Sequence, residues 1–163
     1  HLIPGLLQTD GYARAVMTAS GADAALVDRG ALLRAARQRV LRRTPPPALV
    51  AYIDEAALRR APDGQVMLGQ LGWLSVLAED PGITVRVLPL DGPPVPRITG
   101  PFDIIDRTDS GPAVYTEDAG SAHLRTSATA VEAYRAAAAR LDEACLPPRE
   151  SAGLILRLAT ALG

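Results

Sequence analysis

Proline placement constrains this chain more than any other feature. Three prolines stand together at Pro45-Pro46-Pro47, four fall between residues 91 and 101, and two form Pro147-Pro148. Proline lacks a backbone donor and biases its predecessor toward extended geometry, so no helix or sheet interior runs through these points. Ahead of the first cluster, Asp10 to Thr18 reads as a short helix that Ser20-Gly21 breaks. A longer helix follows over Ala25 to Arg43, with Leu26, Leu32, Leu33, Val40 and Leu41 on its apolar side.

Behind the triple proline the pattern changes. Leu49-Val50-Ala51-Tyr52-Ile53 is a short apolar run of the kind that forms a largely buried strand. Asp63 suits the cap of a helix from about Gln65 to Glu79, with Met67, Leu71, Leu74 and Ala78 on one face. Ile83 to Leu90, β-branched at Ile83, Val85 and Val87, is the clearest strand. The proline-rich stretch from Asp91 to Pro101 reads as a loop. Phe102 to Asp106 and Ala113 to Glu117 are two further strands, joined through Asp109-Ser110-Gly111-Pro112 as an antiparallel hairpin. Helical spacing returns over Ser127 to Cys145, with Val131, Tyr134, Ala138 and Leu141 on one side. Ser151 to Leu162 reads as a last, strongly apolar helix. The fold class expected is α+β: one domain over residues 1–163, with a small, mostly antiparallel sheet of about four strands flanked by N-terminal and C-terminal helices.

Composition narrows the function classes. The chain has 163 residues, 48% of them apolar and 21% charged, as expected of a globular fold with a real core. A formal net charge of −1 lacks the basic excess of a nucleic-acid binder. There is no lysine and no asparagine, which fits the codon bias of a high-GC genome. Cys145 is the single cysteine, which excludes an internal disulfide and a cysteine zinc cluster. Neither a membrane-spanning run nor a signal peptide is visible, so a cytoplasmic location is expected. A start at histidine fits removal of the natural N-terminus or a remaining tag scar.

Catalytic constellations are thin. His1 is terminal, and His123 follows Gly120-Ser121-Ala122 in what reads as a loop. Ser121 and Ser151 show no nucleophile-elbow context. No ligand spacing marks a metal site, and no glycine-rich loop follows a strand. The acid pairs Asp54-Glu55 and Glu117-Asp118 are more informative, since each ends an expected strand. If those strands are neighbours, Glu55 and Glu117 approach Arg34 or Arg37. That arrangement suits a half-buried ion-pair network better than a polar pocket for a ligand or a partner's terminus. The arginines between Arg34 and Arg43 suit a solvated helix face better than a phosphate-binding one. Gln8, Tyr12 and Trp73 are candidates to line a cavity, though aromatics this few are expected in the core. Leu156, Leu158 and Leu162 offer the last helix an apolar edge, a candidate dimer seam.

Several blocks in register carry a resemblance. They are Ile3-Pro4-Gly5-Leu6-Leu7-Gln8-Thr9 with Tyr12-Ala13-Arg14, Arg34-Ala35-Ala36-Arg37-Gln38, Ile53-Asp54-Glu55-Ala56-Ala57-Leu58, Gln70-Leu71, Val85-Arg86-Val87-Leu88-Pro89, Gly100-Pro101-Phe102 and Val114-Tyr115-Thr116-Glu117. Together they resemble the C-terminal domain of Scr1-type, antitoxin-like transcriptional regulators of the Xre class. The resemblance implies a non-catalytic module for ligand sensing, dimerisation or partner binding. It implies a homodimer, a small partner protein of a toxin–antitoxin-like pair, or a small-molecule effector, and no membrane. DNA contact would run only through an N-terminal helix-turn-helix domain outside this chain. No cofactor, metal or catalytic residue is expected. Candidate ligand- or partner-binding residues are Gln8, Tyr12, Arg14, Arg37, Gln38, Asp54, Glu55 and Glu117, with Gln8, Tyr12 and Arg14 on the side facing the DNA-binding domain. The alternative is a stand-alone version serving as a cofactor-independent cyclase or isomerase of secondary metabolism.

Overall fold

Side-chain caps decide where the helices begin. Thr9 opens α1 (Asp10–Ala19), its hydroxyl accepting from the Tyr12 amide at 3.2 Å. Asp23 opens α2 (Ala24–Gln38) by accepting from the Leu26 amide at 2.8 Å. Asp54 ends strand β1 (Leu49–Asp54) and caps the short α3 (Glu55–Arg59) through the Ala56 amide. Asp63 accepts from both Gln65 and Val66 to start α4 (Gly64–Leu77). Each cap answers amides that the helix itself leaves unpaired, and is worth about 0.5–2 kcal/mol. The computed structural model describes residues 2–60, 63–93, 95, 100–117 and 121–163. His1, Asp118, Gly120 and much of the proline-rich loop before Pro101 lie outside them.

The chain forms two compact units, His1–Asp91 with Cys145–Gly163, and Gly92–Ala144. In the first, β1 pairs with β2 (Ile83–Leu88) in parallel, Leu49 opposite Ile83 and Asp54 opposite Leu88. Parallel pairing needs a crossover, which α3 and α4 supply. α4 is apolar on nearly every side and is buried accordingly, with Met67, Leu71, Leu74 and Leu77 inside. It packs against α1, β2 and the last helix, α6 (Pro148–Leu162). Ile3, Leu7 and Tyr12 from the opening block join Ile53, Leu58, Val87 and Ile155 in this core.

The second unit is an antiparallel sheet in the order β3 (Phe102–Ile105), β4 (Ala113–Glu117), β5 (Ala122–Arg125), with helix α5 (Ala128–Ala144). Its core is small: Ala113, Val114 and Val131 are buried, and the Phe102 and Tyr134 rings meet at 5.0 Å. The β3–β4 hairpin turns where the sequence places it, with Gly111 at φ +71°, a conformation glycine adopts without strain.

The fold is α+β, with helices at both ends. Four details differ from the sequence reading. The strands among the described residues number five and fall into two sheets, a parallel pair and an antiparallel triple. β5 occupies the stretch around His123 that reads as a loop, because its four residues are all exposed and show no alternation. α2 ends as an α-helix at Gln38 and continues as a 3-10 turn over Arg39–Arg42. The expected apolar side of this segment also divides: Leu41, in the 3-10 turn, packs against the core, whereas the leucines of α2 itself face outward. Only Val27 and Ala31 are buried, while Leu26, Leu32 and Leu33 are 52%, 69% and 56% exposed. At 100° per residue the two sets lie on opposite sides of one helix, and α1 takes the side with the smaller residues. Among the described residues, no helix is long and apolar enough to cross a membrane.

Candidate functional site

Three glutamines gather on the opening block. Gln8 is buried, and its Nε2 donates to the Ile3 carbonyl at 2.7 Å. Gln38, at the end of α2, donates to the carbonyls of Gln8 and Gly5. Gln70 is fully buried on α4; its Nε2 donates to the Leu7 carbonyl at 2.8 Å, and its Oε1 accepts from the Thr9 amide at 2.7 Å. The backbone from Ile3 to Thr9 is irregular apart from the 3-10 turn Gly5–Leu7, so it cannot satisfy itself. Glutamine suits the task because one side chain carries both a donor and an acceptor. The sequence marks Gln8 and Gln38 as candidates but passes over Gln70 except as part of a block. Its signal is a glutamine standing on the same face as Met67, Leu71 and Leu74, whereas Gln65 lies in the exposed first turn.

Two polar atoms in this region are left over. Gln8 Oε1 and the Tyr12 hydroxyl are buried with no hydrogen-bond partner. Burial pushes the Tyr12 phenol above its ordinary pKa, and the nearby Ile3 backbone opposes this only in part, falling short of a full hydrogen bond. A cleft between α1 and α2 lies beside Gln8, with Thr9, Asp10, Arg34 and Gln38 on its walls, but its volume is about 30 Å³. That is room for about one water molecule. A wider depression of about 290 Å³ runs along β2 and the start of α6, with Asp80, Thr84 and Arg149 as its polar lining. It only approaches the roughly 300–1,000 Å³ of ordinary small-molecule pockets.

The acidic candidates separate. Glu55 lies beside β1 and Glu117 at the end of β4, in different sheets, so their strands are not neighbours. Glu55 is buried, with Oε2 accepting from the Leu90 amide at 3.0 Å and Oε1 meeting Arg59 at 2.6–2.7 Å. Burial opposes its ionisation most strongly. The Leu90 amide, Arg59 and the charge of Arg157 together outweigh that, and hold the carboxyl below the usual glutamate range. A depressed carboxylate contributes stability that is complete above its unfolded-state value, about 4.3, and is lost as pH falls through the folded-state value. Glu55→Gln is therefore expected to cost about 1–2 kcal/mol at neutral pH. It should also flatten the acid limb of stability against pH, measured by urea denaturation at stepped pH. An unchanged acid limb would show that other carboxylates control it.

The remaining candidates have plain placements. Asp54 caps α3. Arg14 bridges Asp10 and Asp28, which raises its pKa and fastens α1 to α2 at the surface. Arg37 is exposed and, among the described residues, makes no ion pair. Glu117 is exposed, and Asp118 lies outside the described residues. His123 is exposed on β5, and Trp73 packs against the core. Leu158 also packs against the core, leaving Leu156 and Leu162 as the exposed part of the α6 edge.

Ser151, which shows no nucleophile context in the sequence, has a structural role instead. Weighed as a nucleophile, it is wholly buried; its Oγ accepts from the Val87 amide and donates to the Leu146 carbonyl, both at 3.0 Å. Arg86 adds donors to the Cys145 and Leu146 carbonyls, so the chain's return toward α6 is fastened to β2. Among the described residues, no three His, Cys, Asp or Glu side chains come close enough to hold a metal ion.

No curated protein and no solved structure matches the chain. A family match covers residues 1–157, nearly the whole length. By that match, the chain belongs to the family described as a domain of unknown function, DUF5753.

Proposed function

We propose that this chain is the ligand-sensing, dimerising or partner-binding domain of an antitoxin-like, Scr1-type regulator of the Xre class, acting in the cytoplasm without catalysis. The observation that carries the reading is how the polar candidates are used. Gln8, Gln38, Asp54 and Glu55 are bonded to their own backbone or to neighbouring side chains, whereas the leucine-bearing side of α2 is left to solvent. A residue engaged in holding its own fold is poorly placed for acid–base work, and an exposed apolar face suits association. The runner-up enzyme needs a shaped pocket; the 30 Å³ cleft beside Gln8 is too small for one, and the 290 Å³ depression along β2 is lined by none of the candidate residues.

DNA footprinting of the complete gene product that carries this chain tests the reading. Protection of a discrete site is expected from that product. Residues 1–163 alone should give none at about 100 mM salt, where non-specific contacts are already weakened. A complete product that protects no discrete site overturns the regulatory reading.

A further inference from the structure

α2 is amphipathic with its apolar side outward. Its inner side holds Val27 and Ala31 with the partly buried Arg34 and Gln38, while Leu26 and, two turns on, Leu32 and Leu33 face solvent. Scattered exposed leucines are ordinary on a protein surface, but three clustered on one helix face form a patch. Arg29 lies within that patch, three residues from Leu26 and Leu32 and four from Leu33, and Arg37 lies four beyond Leu33. From Asp23 to Arg43 the chain carries six arginines and two acids, although its total charge is −1. Both acids are already engaged, Asp23 as the cap of α2 and Asp28 with Arg14. Among the described residues, Arg29 and Arg37 make no ion pair.

We propose that this face of α2 docks an acidic, leucine-bearing amphipathic helix of another protein. Leucines of the incoming helix cover Leu26, Leu32 and Leu33, and its carboxylates meet Arg29 and Arg37. The charge pattern selects this occupant. A second copy docking α2 on α2 would set Arg29 and Arg37 against the same arginines, with no uncommitted acid to answer them. A lipid surface requires the charges at the flanks of the apolar arc, and Arg29 stands inside it. Complementary charge also orients a helix on a surface that apolar contact alone would leave free to slide. The proposal rests on the partner-binding reading above and narrows it to one surface and one chemistry.

The probe is a synthetic amphipathic helix with leucines at positions i, i+3, i+4 and i+7 and glutamates elsewhere, titrated against residues 1–163 by fluorescence anisotropy. A second peptide keeps the leucines and replaces every glutamate by lysine. The acidic peptide is expected to bind, the lysine peptide to bind at least about tenfold more weakly, and either Leu32→Ser/Leu33→Ser or Arg29→Glu/Arg37→Glu to weaken the acidic peptide by about tenfold. All four residues are exposed, so unchanged thermal unfolding of the variants will show that the fold is intact. The proposal is overturned by no binding of the acidic peptide, or by equal binding of the two peptides. It is also overturned if Leu32→Ser/Leu33→Ser abolishes a dimer seen by sedimentation, or binding to anionic phosphatidylserine vesicles, while peptide binding stays unchanged. Footprinting separates the two readings. A complete product that binds a discrete DNA site but no acidic helix removes the docking face alone, and the reverse removes only the regulator.

Discussion

Gln70→Leu is expected to lower the stability of the first unit by about 2–5 kcal/mol, the largest single effect of any polar substitution considered for this chain. Leucine nearly matches glutamine in volume, so little of the cost is a cavity. The cost arises because the part-buried Thr9 amide loses an acceptor at 2.7 Å and the fully buried Leu7 carbonyl loses a donor at 2.8 Å. Each unsatisfied buried group costs about 1–3 kcal/mol, more than the net gain from forming such a bond. Urea denaturation measures the total, and amide hydrogen exchange at Thr9 locates it. Gln70→Glu gives the finer test. Ionised, its carboxylate still accepts from Thr9 but faces the Leu7 carbonyl; protonated, it donates to Leu7 again. Its deficit should shrink as pH falls. A deficit independent of pH would mean that volume, and not hydrogen bonding, is what α4 requires there.

Ser151→Ala is expected to cost about 1–3 kcal/mol. The two ends of the lost bond pair do not suffer equally. The Leu146 carbonyl keeps a donor from Arg86 at 3.1 Å, whereas the amide of the fully buried Val87 is left with nothing. Most of the penalty therefore falls on β2, and denaturation of Ser151→Ala and Arg86→Ala singly and together separates the shares. If the hydroxyl and the guanidinium back each other up, the double variant loses more than the sum of the single ones. Simple additivity would show that the two contacts are independent.

The helices were legible because their signals are local. Asp63 marks the start of α4, prolines mark where α2 and α5 stop, and Met67, Leu71 and Leu74 mark the face that α4 buries. What escaped the sequence depends on distant pairing. Nothing in Leu49–Asp54 or Ala113–Glu117 says that one strand pairs in parallel within one sheet and the other antiparallel within a second. The approach of Glu55 and Glu117 is conditional on neighbouring strands, and that condition fails. The α2 error has another cause. Periodicity identifies which residues share a face but not which face a neighbour covers, and α1 covers the face of Val27 and Ala31. Gln70 and Ser151 were unreadable as structural residues because their partners lie more than sixty residues away, except for Leu146 beside Ser151.

The first unit is discontinuous along the chain, and this governs the order of events during synthesis. Its core waits for Leu154 and Ile155, and the edge of β2 waits for Ser151, all on α6, which is made after the second unit. Until then the growing chain holds β1, α4 and β2 with one side of their apolar surface open to solvent, a state prone to association with its own kind. The second unit, contiguous and with all its contacts closer in sequence, has everything it needs to fold earlier. Completion of the larger unit is thus a late, long-range step that depends on residues beyond the insertion. The stretch of translation between Asp91 and Ser151 is the interval in which the nascent protein has most need of a chaperone.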